Sequence, residues 1–508
     1  MLWTSLAVLP FLITGIRAAT GDVTLGTDFG LSELAISDAA HLHQTLGAYS
    51  RMGWAHPGPA WYYALAPVFT LLGSTGSAFI ASFLVLQALA AALIVVVAGR
   101  RLPWAQPIAA AAVLGYGLLM PTSVFVTPWN PYALLLPAAL LLLLVARSTE
   151  GSLTAVAGTA LVGTFLVQTH IGTTPLVAAA TLVALATCAL ARPHPSRSDR
   201  CGGATLAALA VAGWVPPLWQ QWRASDGNGN LSQIFAYFTQ PDVTAERKYS
   251  WMESLRIVAR VIAIPVYSWP GGDQLVPFAQ LPLLGWLLLL VQAGGTALLL
   301  VVGIRTGSRR TMGLALALGA AAAAALFSAH SIRGDAWDYL VLWATVLPVV
   351  LAAGWLDVLL SRLPSRRAPV AAAAVVLAVL AVCLGAQTVR TLDQRTDEPG
   401  VDEAVTLLQG HLGDSRYPVQ LDIRTREAWA LASGVAARLE QQGYQVHVDR
   451  SWLFMFGARR AVTGAERVRV ELVDAQETAP DTPPGVTSAR LGAVIGSQEW
   501  AVIVTSMR

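Results

Sequence analysis

Charge is scarce in this chain. Only 12% of its 508 residues are Asp, Glu, Lys or Arg, and lysine is nearly missing, with Lys248 the only one. The formal net charge is +3 and no basic stripe interleaved with aromatics occurs, so nucleic-acid binding has little support. Cysteine is rare too. Cys188 and Cys383 sit in apolar runs and Cys201 in a short Arg-containing loop, which predicts neither a structural disulfide nor a Cys-based metal site. The C-terminal part holds no GxGxxG or GxxxxGK[ST] loop, which argues against nucleotide binding there. What fills the chain instead is apolar: 55% of the residues are hydrophobic. A soluble chain of this length could not hide so much apolar surface in one or two ordinary cores.

A membrane-spanning helix needs ~20 mostly apolar residues. Candidate spans are 1–18, 77–98, 105–122, 131–147, 153–170, 174–191, 204–219, 277–302, 312–329, 338–360 and 368–388, several of them short. Arginine tests their orientation. Arg100 and Arg101 follow the second span, Arg147 the fourth, and Arg192, Arg197 and Arg200 the sixth. Arg305, Arg309 and Arg310 follow the eighth, and Arg362, Arg366 and Arg367 the tenth. Every alternate loop is basic and falls on one side, as positive-inside topology requires. The N-terminus is then cytoplasmic and the C-terminal segment lies outside a plasma membrane. The parity holds if 58–73 does not cross; that stretch is short, contains Pro59 and Pro67, and reads as an interfacial or re-entrant helix. The first span begins at Met1 without a basic flank and has Arg17 at its outer end. An uncleaved helix is favoured over a signal peptide, whose basic n-region is missing, or a start further upstream.

Beyond residue 390 the character changes to a small α/β unit. Helices are predicted near 401–412 and 426–442, strands at 418–423, 444–448, 466–473 and 500–505, and a loop at 474–486. Gly443 is placed to end the second helix. The expected architecture is a polytopic α-helical membrane region, 1–390, of about eleven spans, with outer loops 19–76 and 220–276 and an extracytoplasmic α/β domain, 391–508. The inner loops are short, so chemistry belongs on the outer side.

The first outer loop gathers Asp28, Glu33, Asp38, His41, His43, Tyr49, Arg51 and His56. Residues 31–46 have helical character, with Asp28 expected to precede that helix and Glu33 and Asp38 on different faces. Carboxylates at a membrane surface cost free energy unless they pair or face an aqueous cavity, and such a setting suits one to general-base work. Taken singly, each reads equally well as a solvated loop charge; the cluster followed by YSRMGWAHPGP shifts the balance. Other outer features are TPWNPY (127–132), QTH (168–170), the 220–250 loop and HSIRGDAWDYL (330–340). His170 suits a phosphate or hydroxyl as well as an ordinary interfacial contact. Arg333, and the pair Arg247 and Lys248, lie outside against the charge rule; they suit a lipid phosphate, and equally a headgroup or a salt bridge to Glu246, Asp335 or Asp338. Asp28, Asp38 and the nearby histidines are ligand types for a divalent metal, but their spacing is not diagnostic and no cofactor is required by a motif.

The layout resembles the GT-C superfamily of membrane glycosyltransferases, which includes protein mannosyltransferases and lipid A aminoarabinose transferases. An acidic first outer loop follows the first span, HPGPAWYYALAPVFTLLG precedes the second, and AGRRL ends it. Closer still, ELAISD (33–38), GAYSRMGWAHPGP (47–59), WNPY (129–132), QTHIG (168–172) and GNLSQIFAYF (229–238) resemble a group of actinobacterial membrane proteins over nearly the whole chain. The resemblance implies inverting transfer of a sugar from a polyprenyl-phosphate donor to a cell-envelope acceptor (glycan, lipid or protein) among membrane lipids. It implies a first-loop carboxylate as base. The superfamily's adjacent AspGlu pair is missing, which leaves Asp28 and Glu33 as candidates. Tyr49, Arg51, His56, His170 and Arg333 would then line the donor phosphate or substrate, and Asp38, Trp54 and Asn130 the acceptor side. The C-terminal domain could hold acceptor glycan, though nothing in its sequence requires this. Competing expectations are a transporter or lipid flippase, which would carry broken helices and internal repeats, and a non-catalytic cell-envelope scaffold.

Overall fold

The computed structural model describes residues 1–99, 104–191, 195–224, 228–240, 248–266, 283–361, 367–395, 397–398, 400–412, 417–474, 486–495 and 498–506. Arg100, Arg101, Arg192, Glu246, Arg247, Arg362 and Arg366 lie outside the described residues, as do the 277–282 start of the eighth span and the 475–485 part of the predicted loop. Helices α1 (Leu2–Ala19), α2 (Thr27–Ala40), α3 (Ala60–Leu71), α4 (Gly76–Ala98) and α5 (Ala105–Leu119) open the chain. A short α6 (Ser123–Val126) leads to α7 (Leu135–Ser148), α8 (Leu153–Thr169), α9 (Thr174–Leu190), α10 (Arg197–Ala212) and α11 (Val215–Arg223). Next come α12 (Asn230–Thr239), α13 (Trp251–Ala263), α14 (Leu283–Thr306), α15 (Arg309–His330), α16 (Val346–Leu360) and α17 (Arg367–Asp393).

Among the described residues, eight segments are long and apolar enough to cross a membrane: α1, α4, Ile171–Leu190, Arg197–Arg223, α14, α15, Leu342–Leu360 and Val370–Asp393. The shorter apolar helices α5, Tyr132–Ser148 and α8 account for the remaining predicted spans. Helices are what such sequences must form in lipid, since each then pairs its own backbone groups. Leu182 and Leu185 of α9, Leu290 and Val291 of α14 and Val375 and Val379 of α17 stay exposed, a surface suited to acyl chains. Inside, Phe11, Phe79, Phe83, Phe125, Trp61 and Trp343 are fully buried. Tyr116 and Thr345 tie α5 to the lead of α16 by a hydroxyl pair at 2.6 Å. The α3 helix, 12 residues long, spans only about 18 Å and packs between α2 and α4.

The C-terminal region holds α18 (Val401–Leu412), α19 (Trp429–Gln441), the short α20 (Leu453–Phe456) and five strands: β1 (Val419–Ile423), β2 (Val446–Val448), β3 (Val468–Asp474), β4 (Val486–Ile495) and β5 (Gln498–Ser506). They form one sheet of order β2-β1-β3-β5-β4. β1 lies parallel to β2 and β3, while β5 runs antiparallel to β3 and β4. Its core includes Leu31 and Leu34 of α2, so the first-loop helix belongs to both halves of the molecule. Gly30 is what lets α2 approach α19: a Cβ there would lie 2.8 Å from the Ser433 backbone.

Several sequence expectations need correction. The first-loop helix runs from Thr27 to Ala40 rather than over 31–46, so Asp28 lies inside its first turn. It stops early because the chain turns at Leu42, whose φ is +60°. The outer region 220–276 holds α12 and α13, the latter opened by a Ser250–Glu253 capping box. Strand β4 begins where only a loop was expected. Gly443, at φ +86°, ends α19 as anticipated.

Candidate functional site

The motif at 47–59 folds as a small antiparallel hairpin, bridged at Tyr49 and Ala55. His56 donates its backbone N–H to Ala48 at 2.7 Å, Ser50 donates to Trp54 at 2.9 Å, and Gly53 turns the chain at φ +81°. The hairpin displays Tyr49, Arg51, Trp54 and His56 together. Two other motifs hold it in place. Asn230 brackets Ala55, accepting its N–H at 2.8 Å and donating to its C=O at 2.9 Å. Gln168 accepts from the Ala60 N–H at 3.2 Å and donates to the Gly213 C=O at 2.8 Å.

A cavity of about 650 Å³ opens beside the hairpin. Its walls come from α2, the hairpin, Trp129–Pro131, His170–Pro175, the end of α12, the end of α15 with Arg333, and Leu453–Arg459 of the C-terminal region. Asp28, Asp38, Tyr49, Arg51, Trp54, His56, Asn130, His170 and Arg333 all line it; Glu33 does not. Arg147 and Arg310 converge beside Gly99, at the far end of α4 from the cavity.

Asp28 is largely enclosed yet faces this space. The Tyr49 hydroxyl donates to its Oδ1 at 2.5 Å, and the Trp129 indole N–H is a second donor. Burial pushes its proton affinity above the usual carboxylate range, and the two hydrogen bonds only partly offset that. The residue is therefore a stronger base than a solvated aspartate, held in one orientation by neutral donors. Trp129 packs on Tyr339 with centroids 4.9 Å apart, and Tyr339 meets the His170 ring edge-on at 6.4 Å.

His56 and His170 lie side by side, centroids 4.5 Å apart. Burial drives both below the ordinary imidazole range, His170 to about 4. Each accepts a backbone N–H at Nδ1, from Ile171 at 3.3 Å and from Gly172 at 3.1 Å. Both rings are thereby fixed as neutral Nε2–H tautomers. Neither Nε2 has a hydrogen-bond partner among the described residues, so the pair supplies two adjacent donors to an anion. Cationic groups stand nearby. Arg51 is exposed and donates to the Asp335 carbonyl at 2.9 Å. Arg333 donates to the Phe238 carbonyl at 3.0 Å and stacks over Tyr237. Asn130 donates to the Thr169 carbonyl at 3.0 Å, and Trp54 packs edge-on against His56.

The other two first-loop carboxylates are engaged with the C-terminal region. Glu33 is buried against α19, where it accepts from Gln441; burial pushes it up to about 8 despite Arg438 nearby. Asp38 accepts from Arg460 at 2.8 Å and Arg459 at 3.1 Å, and Arg460 also binds Glu440 at 2.7 Å. Sequence reasoning missed Arg459, Tyr339 and Trp129's bond to Asp28. The WNPY motif signalled Trp129, but nothing local marks Arg459. Among the described residues no three His, Cys, Asp or Glu side chains come together to hold a metal ion. Asp38, one of the candidate metal ligands, is bound to two arginines instead.

Solved structures similar to this chain include the following three. ArnT from Cupriavidus metallidurans, bound to undecaprenyl phosphate, matches over 99% of this chain and 98% of its own, with 14% identity and a TM-score of 0.54. That match decides the architecture. The fold is that of the GT-C membrane glycosyltransferases. The archaeal oligosaccharyltransferase AglB from Archaeoglobus fulgidus, in complex with an inhibitory peptide and a dolichol-phosphate, matches over 92% of this chain and 69% of its own at 12% identity and TM-score 0.44. An Archaeoglobus fulgidus oligosaccharyltransferase complexed with Zn and sulfate matches over 93% and 68% at 11% identity and TM-score 0.43. No family model matches the sequence, and no curated protein matches it by sequence. Within the GT-C fold, this chain brings the first-loop helix and the cavity against its C-terminal sheet.

Proposed function

We propose that this chain transfers a sugar from a polyprenyl-phosphate donor to a cell-envelope acceptor, with inversion, at the extracytoplasmic face of the membrane. The observation that carries this reading is the shared cavity: a base-like Asp28 and a pair of fixed imidazole N–H donors, with Arg51 and Arg333, line one space. Asp28 takes the proton of an acceptor hydroxyl as its oxygen attacks the anomeric carbon. The bond from that carbon to the phosphate oxygen breaks, and its electron pair leaves on the polyprenyl phosphate. His56 and His170 donate to the developing phosphate charge, and the two arginines favour it electrostatically. No step uses a metal. The convergence of Arg147 and Arg310 at the opposite end supports a cytoplasmic N-terminus and an extracytoplasmic domain over 391–508. Undecaprenyl phosphate bound to ArnT, which shares the fold, supports a lipid-phosphate donor.

The test is transfer by purified protein in nanodiscs supplied with radiolabelled polyprenyl-phosphate mannose, glucose or arabinofuranose and an envelope extract. Label is expected to leave one donor with the intact protein and to stay on it with Asp28→Asn. No transfer and no lipid binding across the panel would favour a transporter or a scaffold on the same fold.

A further inference from the structure

The C-terminal region turns a particular edge towards the cavity. In a sheet with parallel strands, the carboxyl ends are where ligands gather, because the loops leaving them diverge and open a crevice. Here β1 and β2 are parallel, and the chain leaving β2 runs through Arg450–Trp452 and α20 to Arg459. Trp452 pins this segment to the end of β1 by donating its indole N–H to the Ile423 carbonyl at 3.0 Å. The segment then forms the cavity wall at Leu453–Arg459.

Two side chains on this wall are exposed where burial would be expected of them if they served only to hold the fold. Phe454 is 53% exposed and stacks on Trp452, with ring planes 16° apart. Arg459 keeps 55% of its side chain exposed although it binds Asp38, which Arg460 already neutralises from a buried position. A flat aromatic face beside an exposed guanidinium matches the two surfaces of a sugar ring. The ring's C–H face is apolar, while its rim of hydroxyls accepts hydrogen bonds from an Arg fork.

Resting on the glycosyltransferase reading, we infer that Phe454 and Arg459 form the acceptor subsite and that the acceptor is a carbohydrate. Its ring stacks on Phe454 and its hydroxyls meet Arg459, which presents another hydroxyl to Asp28 across the cavity. The last turn of α15 and the start of α9 remain for the lipid donor.

The test uses the full chain in nanodiscs, octyl glycosides of mannose, glucose and arabinose as acceptors, and direct binding of undecaprenyl phosphate. Phe454→Ala and Arg459→Gln are each expected to raise the acceptor KM about tenfold or more, with kcat at saturating acceptor within about twofold. Undecaprenyl phosphate binding and the melting temperature should stay at the intact protein's values. Unchanged acceptor KM in both variants would overturn the assignment. So would weakened undecaprenyl phosphate binding in Phe454→Ala, which would give the segment to the lipid. Release of label to water or extract but to no glycoside would overturn a carbohydrate acceptor while leaving the transferase reading intact. No label release and no undecaprenyl phosphate binding by the intact protein would sink that reading itself, and this inference with it.

Discussion

Three carboxylates on one helix have different fates. Asp28, at the start of α2, meets only neutral donors among the described residues, Tyr49 and Trp129, and opens on the cavity. Ten residues on, Asp38 also borders the cavity but is bound by Arg459 and Arg460. Glu33, between them, points away into α19. The lesson is that proximity to a cavity does not make a base. A carboxylate held by neutral donors keeps a charge that can accept a proton, whereas one locked to two guanidiniums, that of Arg460 buried, fastens two halves of the molecule together.

The comparison can be broken at either end. The largest expected effect is Asp28→Asn, which should lower kcat about 10²–10⁴-fold, the range for a lost general base, with an unchanged melting temperature; a radiolabel assay beside a thermal melt checks both. Arg460→Met should leave the buried Asp38 with only the exposed Arg459 and take from the half-buried Glu440 its Arg460 partner, at a cost of about 3 kcal/mol, read by chemical or thermal unfolding. His170→Ala removes one phosphate donor and should lower kcat about 10–10²-fold with little change in acceptor KM. Because both histidines stay neutral, the pH profile of the intact protein should show no imidazole inflection.

Smaller effects sharpen the contrast through pH. The base must be ionised, so kcat/KM should fall as pH drops through the raised affinity of Asp28. Tyr49→Phe deletes a hydrogen bond that favours the ionised form, and the acid limb should move to higher pH. Glu33 shows the linkage from the stability side. Its carboxyl rises from 4.5 to about 8 on folding, so the folded state binds more protons than the unfolded one between those values. Stability should then decline as pH climbs from about 4.5 towards 8. In Glu33→Gln that decline should flatten, as measured by denaturant unfolding at several pH values.

Much of the membrane half was legible because spanning helices are written in composition: long apolar runs need no partner to be recognised. The cavity was legible for a different reason. Asn130 and His170 stand out because they sit in short polar motifs at the edges of apolar runs, and Arg333 because it lies outside against the charge rule. The choice between Asp28 and Glu33 was not legible. Both are acids on one helix, and only the approach of α19, made possible by Gly30, separates them. Phe454 and Arg459 left no mark either, since an aromatic and an arginine in a soluble segment are ordinary until the chain leaving β2 brings them to the cavity. Helix α13 was hidden by its mixture of Arg256, Arg260 and apolar residues, which falls short of any spanning pattern.

The most direct measurement compares Asp28→Asn with Glu33→Gln in single-turnover release of label from the polyprenyl-phosphate sugar that the intact protein uses. The account predicts no release with Asp28→Asn and release within about threefold of the intact protein with Glu33→Gln. Release with Asp28→Asn and its loss with Glu33→Gln, both variants melting normally, would contradict it.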